Sequence, residues 1–171
     1  MEQRPVIRLT RSPLEVCLEV LNIVIIIGTL VYLLIRWRDL PSTIPIHYAG
    51  SGEADGWGSR STLLLLPLIA IAPYVLITII SRFPHTFNFP VAVTEQNAPE
   101  LYRLTVQMLN WLKFEMVFLF SSLGVLVIRS ATTGHAGSIG IFTIIGAIVI
   151  LGTIFGYVFH IVRRFRTRTT S

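Results

Sequence analysis

"LEVCLEVLNIVIIIGTLVYLLI", Leu14 to Ile35, is the stretch that decides the fold. Its only charged residues are Glu15 and Glu19. An apolar run of about 20 residues is the length a helix needs to cross the roughly 30 Å hydrocarbon core of a bilayer. Ser12-Pro13-Leu14-Glu15 opens the run with a helix-start signal: serine as N-cap, proline at the first helical position and a carboxylate three residues after the cap. Arg36-Trp37-Arg38 follows the run, where a secretory signal would carry a small-residue cleavage pattern. The run therefore reads as an uncleaved first membrane helix, with Cys17 as a small packing residue in it.

Working outward, three more runs have the same character, and together they predict helices over 14–35, 63–80, 98–129 and 139–162. Pro67 and Pro73 fall inside the second and predict two kinks, because each removes a backbone donor. The third combines Leu112–Ile128 with an amphipathic lead-in from a cap-like Asn97-Ala98-Pro99-Glu100. There Leu101, Leu104, Met108 and Trp111 share one side and Glu100, Arg103, Gln107 and Asn110 the other. This lead-in is expected either to lie along the membrane surface or to carry the helix out of it. The predicted fold class is an all-α membrane protein: one domain over 1–171, a four-transmembrane-helix bundle with a short extended-and-turn loop at 40–60. A basic tail covers 163–171.

Composition supports this class. Of the 171 residues, 53% are hydrophobic and 13% charged, against roughly a quarter charged in a soluble domain. Lipid must therefore be the solvent for much of the surface. Cys17 is the only cysteine, so neither an internal disulfide nor a thiolate metal site can be built. The short arginine tail lacks interleaved aromatics, which excludes a nucleic-acid reading. The chain has no HExxH, GxSxG or GxxxxGK[ST] motif, so no zincin, hydrolase-elbow or nucleotide-cradle chemistry is indicated. No cofactor, metal or catalytic residue is expected.

The fourteen Lys and Arg residues set an orientation. With both termini cytoplasmic, Arg4, Arg8, Arg11, Arg82, Arg103, Lys113, Arg163, Arg164, Arg166 and Arg168 lie inside. Arg36, Arg38, Arg60 and Arg129 lie outside, giving ten against four in the direction of the positive-inside rule. The 40–60 loop then faces outward from a multi-pass plasma-membrane protein. Trp37 and Trp57 flank that loop, and Trp111 marks the opposite interface.

Ionisable residues within spans are functional suspects. Glu15, Glu19, Lys113 and Glu115, with Asn22 as a polar companion, form such a set, and Glu15 and Glu19 lie one helical turn apart. Either they pair with Lys113 or with Arg163-Arg164 to hold the bundle, which is the plainer reading, or they begin a proton or ion path. Gly152 and Gly156 form a small-xxx-small pattern that serves packing within the bundle or a homodimer. In the loop, "LPSTIPIHYAGSGEADGWGSR" (Leu40–Arg60), Pro41 and Pro45 bias their predecessors to extended conformations. Ile44, Ile46 and Tyr48 alternate as on a strand. Gly50, Gly52 and Asp55-Gly56 are turn material. His47, Glu53 and Asp55 either converge as a cation or ligand site or serve the turn and solvent.

The same loop resembles a pattern, L-P-x-x-I-P-x-H-x-x-x-x-G-x-x-D-x-x-x-S-K/R, that marks a bacterial membrane family defined as a domain of unknown function. Its best-known members are SdpI-type immunity and signalling proteins. The matching residues are Leu40, Pro41, Ile44, Pro45, His47, Gly52, Asp55, Gly56, Gly58, Ser59 and Arg60. A second stretch, "FNFPVAVTEQNAPELYRLTVQMLNWLK" (Phe87–Lys113), is similar to the family's other recurrent segment through Asn88, Pro90, Thr94, Asn97, Trp111, Leu112 and Lys113. Two features depart from the pattern: SdpI-type proteins carry further helices, and Tyr48-Ala49 stands where an aromatic followed by asparagine is common. The resemblance implies a bacterial inner-membrane protein. The function expected is a non-enzymatic sensor or immunity-type protein acting at the outer face, with a membrane-active peptide or a cytoplasmic regulator as partner besides the bilayer. The alternative is a small transporter or accessory subunit.

Overall fold

The computed structural model describes residues 4–49, 53–134 and 139–166. Gly50 and Gly52 of the loop, His135 and the end of the tail lie outside these residues. Four helices are long and apolar enough to cross a membrane. They are α1 (Pro13–Arg36), α2 (Leu65–Ile80, preceded by a 3-10 turn, Arg60–Leu64), α3 (Ala98–Thr133) and α4 (Ile139–Arg166). Two strands, β1 (Thr43–Tyr48) and β2 (Ala54–Ser59), form an antiparallel hairpin between α1 and α2. The chain is an all-α membrane bundle with one small hairpin.

Local chemistry sets the helix starts. The Ser12–Glu15 capping box is formed in both directions, with Glu15 N donating to Ser12 Oγ (3.2 Å) and Ser12 N donating to Glu15 Oε2 (3.0 Å). For α3 the signal sits earlier than Asn97. Thr94 N donates to Asn97 Oδ1 (2.8 Å), Asn97 N donates to Thr94 Oγ1 (3.3 Å), and Ala98 N donates to the Thr94 carbonyl (2.9 Å). This is the reciprocal geometry of a capping box, with Thr94 in the capping role and asparagine replacing glutamate. The α3 C-terminus is closed by Gly134 at φ 73°, the left-handed position glycine accepts at little cost.

The second helix differs from the two-kink expectation. The segment from Arg60 to Leu64 is a 3-10 turn, so Pro67 falls in the first turn of α2, where its missing N–H would have no helical partner anyway. Only Pro73 is interior. Cys17 also departs from its expected packing role and lies exposed on the outer side of α1.

α3 is the central helix, packed against α1, α2 and α4. α1 runs parallel to it: Glu19 meets Lys113, Thr29 meets Gly124, and Leu33 clusters with Ile128. At about 1.5 Å per residue, α3 is about 54 Å long, well beyond one bilayer core. Extending the α1–α3 register backward leaves its first turns beyond the start of α1, so the amphipathic lead-in carries the helix out of the bundle. That projecting part is not bare. Leu101 clusters with Ile161 and Phe165 of α4 and with Phe89, Val91 and Val93 of the preceding segment, and Arg164 pairs with Glu100. Asn110, expected on the polar side, is buried because the N-terminal segment and the chain after α2 fold over it.

α4 lies antiparallel against α3. Its close approach is at Gly146, where an added Cβ would stand 2.5 Å from Leu119 Cδ1 and 3.2 Å from Leu119 Cγ. Gly152 and Gly156 face open space. Gly146→Val should therefore lower stability in detergent by about 1–3 kcal/mol through overpacking. Gly152→Val should stay within about 0.5 kcal/mol, the range of sites that touch nothing. Thermal unfolding of the two variants side by side checks this, and equal losses would contradict the assigned interface.

Candidate functional site

Two polar sites occupy opposite ends of the bundle. At the end bearing the termini, Lys113 is only 3% exposed, and its Nζ lies 2.5 Å from Glu19 Oε2 and 3.2 Å from Thr78 Oγ1. Tyr74 OH donates to Glu19 Oε1 (2.5 Å), and Thr78 Oγ1 donates to the Tyr74 carbonyl (2.7 Å). The ammonium also lies 5.1 Å from the Tyr74 ring centroid. One residue from α1, two from α2 and one from α3 thus satisfy one another, with the lysine buried and the carboxylate part-buried. Sequence reasoning missed Tyr74 and Thr78; their positions one turn apart on an otherwise apolar helix were the available signal.

The other members of the proposed intramembrane set lie elsewhere. Glu15 is engaged in the capping box. Glu115 faces α4, where Thr153 Oγ1 donates to its Oε1 (2.5 Å), while its Oε2 is buried without a partner among the described residues. Asn22 is fully buried, and neither its amide nitrogen nor its oxygen meets a hydrogen-bond partner among the described residues. The five residues are therefore a pair, a cap, an α3–α4 contact and an isolated amide.

At the opposite end the hairpin is built into the bundle. Leu40 and Ile44 are buried with Leu33 of α1, Leu63 of the 3-10 turn and Ile128 of α3. This cluster lies at the ends of three helices, where burial from water is worth about 1.5–3 kcal/mol per large apolar side chain. Pro45 is buried as well, opposite Trp57. Arg60 Nη1 donates to the Leu40 carbonyl (3.3 Å), and the Arg60 guanidinium lies 5.3 Å from the Trp37 ring centroid, closing the hairpin's open end over α1. Ser59 caps the 3-10 turn by accepting from Ser61 N (3.3 Å). Pro41 is exposed just before β1.

The strand register explains the glycines. His47 pairs with Gly56 and Ile44 with Gly58, with irregularities on either side of His47. A Cβ on Gly56 would lie 2.7 Å from His47 Cβ, and one on Gly58 would lie 2.7 Å from Ile46 Cδ1. Asp55-Gly56 is thus not the turn that the dipeptide suggested. It lies inside β2, where Asp55 is the extra residue between the Tyr48–Ala54 and His47–Gly56 pairs, in the manner of a bulge. The bulge turns Asp55 toward His47, and Asp55 Oδ1 lies 2.5 Å from His47 Nδ1. Both side chains are open to solvent, at 49% and 72%. A carboxylate on Nδ1 fixes the imidazole's orientation and leaves Nε2 pointing outward. Among the described residues no group of three or more His, Cys, Asp or Glu is placed to hold a metal ion.

Beside the pair, Ile46 and Trp57 are exposed, at 47% and 61%. Below them a cleft of about 290 Å³ opens between the hairpin, α2, α3 and the start of α4, lined by apolar side chains such as Ile44, Leu66, Ile69, Leu123 and Val127. Tyr48 borders it, and burial pushes its phenol pKa up, with Ser130 beside it. The site thus joins an oriented imidazole to an apolar cleft at the rim of the bundle.

The fold defines a multi-pass integral membrane protein. Residues 24–71, from mid-α1 through the hairpin into α2, match a family described as a domain of unknown function, DUF1648. An uncharacterized protein of Archaeoglobus fulgidus is 37% identical over 78 residues, covering 41% of this chain and 43% of that protein. The chain thus spans less than half the length of that relative. No solved structure matches.

The hairpin geometry gives a direct check. Gly56→Ala sets Cβ against Cβ, which no rotamer can relieve, and should cost about 1–3 kcal/mol. Gly58→Ala meets the Ile46 side chain, nearest at Cδ1, which can move by rotamer change, and should cost less than about 1 kcal/mol. Unfolding curves in one detergent compare the two, and the reverse order would contradict the register.

Proposed function

We propose that the chain is a non-enzymatic, SdpI-like membrane protein that senses or neutralises a membrane-active peptide at the outer face of the cell membrane. Both termini are then cytoplasmic and the hairpin is outside. The observation that carries this reading is the hairpin's construction. One side is buried on the ends of three helices. The other presents Ile46, Trp57 and the His47–Asp55 pair above an apolar cleft. A peptide partitioning into the interface meets apolar surface and a fixed hydrogen-bonding ring at the same depth. The ten-to-four distribution of positive charge supports the orientation.

Such a ligand acts on the bundle only by binding one arrangement more tightly than another. Leu33, Leu63 and Ile128 connect the hairpin to α1, the start of α2 and α3, so a tilt of the hairpin reaches three helices. A transporter reading draws on the Glu19–Lys113 pair and on Asn22. It has less support, because beyond Asn22 the buried polar side chains among the described residues are the hydroxyls of Ser121 and Ser130, and no ionisable side chain is buried there.

The test is protection in cells challenged with a panel of pore-forming peptides. Cells expressing the chain should survive at least one peptide at several-fold higher dose than cells lacking it. His47→Ala/Asp55→Ala should lose that margin at equal membrane abundance. In a Cys17→Ser background, Thr43→Cys should label from outside intact cells and Glu95→Cys should not. Unchanged sensitivity across the panel, or inverted labelling, would overturn the reading.

A further inference from the structure

One cavity, at the other end of the bundle from the hairpin, is not used by the reading above. It has a volume of about 570 Å³ and lies at the end bearing the termini, between the N-terminal segment, the first turns of α1, the end of α2 and α3. Four cationic side chains line it, Arg8, Arg11, Arg82 and Lys113, against two carboxylates, Glu15 and Glu19. The balance is four minus two, or +2.

The distribution of partners sharpens this excess. Glu15 accepts from the Ser12 backbone, and Glu19 is shared between Lys113 and Tyr74. Both carboxylates are therefore committed, as is the lysine. Among the described residues, none of Arg8, Arg11 and Arg82 lies within ion-pair distance of a carboxylate. Three guanidinium groups from two separate segments thus line one concave space with no carboxylate in ion-pair contact, and the two carboxylates there leave the cationic excess standing.

The wall that carries two of them is fixed at both ends. Arg4 Nη1 donates to the Phe87 carbonyl (2.5 Å), with its guanidinium 5.9 Å from the Phe89 ring centroid. At the other end the Ser12–Glu15 box joins the segment to α1. The backbone that carries Arg8 and Arg11 is therefore anchored opposite Arg82 before any ligand arrives, which lowers the ordering cost of binding.

We infer that this cavity binds a doubly charged phosphomonoester group through Arg8, Arg11 and Arg82. Guanidinium groups carry planar forks of donors and no acceptor, and those forks match phosphate oxygens in paired, charge-assisted hydrogen bonds. The +2 excess matches a phosphate dianion, and three forks can divide its terminal oxygens among them. The group can come from a lipid headgroup, because the cavity lies where α1 begins, or from a soluble phosphate.

The experiment uses the full chain in nanodiscs of phosphatidylcholine and reads the thermal unfolding midpoint. One arm adds inorganic phosphate; the other replaces part of the lipid with phosphatidic acid. A rise in midpoint in either arm supports the inference. A response to phosphatidic acid alone identifies a lipid source, and a saturable response to phosphate identifies a soluble one. Arg11→Gln and Arg82→Gln should each weaken the response about tenfold or more. Arg103→Gln, on the exposed side of α3, should leave it unchanged. No response in either arm would overturn the inference, as would equal responses in Arg11→Gln, Arg82→Gln and the parent.

Discussion

The bundle depends on one ion pair with a buried lysine. Apolar helices gain little from one another in lipid, because the tails they would exclude are as apolar as their side chains. Register among α1, α2 and α3 must therefore come from close packing and from polar contacts that have no alternative partner. Glu19 and Lys113 supply the strongest such contact, with Tyr74 and Thr78 completing it from α2. A lysine at 3% exposure leaves a large desolvation penalty uncompensated unless its carboxylate is in place. Any slide of α1 along α3 by one turn separates the charges. The pair thus ties three helices at one level and fixes the ends on which the hairpin sits.

The hairpin uses a different force. It lies beyond the spans, where water is present and apolar burial counts. Leu40 and Ile44 close over Leu33, Leu63 and Ile128, so the register set by the ion pair at one end is read out at the other. The residues that carry the family resemblance divide accordingly. Leu40, Ile44, Pro45, Gly56, Gly58, Ser59 and Arg60 have structural duties in this assembly. His47 and Asp55 face solvent with an orientation that the assembly imposes, which is why the functional reading rests on them.

Much of this was legible in the sequence. Four apolar runs, the Ser12–Glu15 start and the extended character after Pro41 and Pro45 follow from local rules and are seen in the fold. What was not legible depended on neighbours distant in the chain. Asp55-Gly56 has the composition of a turn but is pulled into β2, since only Gly56 fits opposite His47. Glu15 and Glu19 share a face yet separate in role, because one meets its own N-terminus and the other meets Lys113. Gly152 and Gly156 carry the familiar spacing, but Gly146 meets Leu119. Tyr74 and Thr78 gave no periodic signal beyond their spacing, and Arg8, Arg11 and Arg82 become one cluster only when the N-terminal segment folds back.

The most direct measurement is a double-mutant cycle on the ion pair, read by unfolding in mixed micelles. Glu19→Gln and Lys113→Met should each lose about 3 kcal/mol or more, since each strands a buried partner. The double variant should lose less than the sum of the two by about 2 kcal/mol or more. Losses that add to within about 0.5 kcal/mol would show that the two residues act independently, and would contradict the claim that this pair sets the register of the bundle.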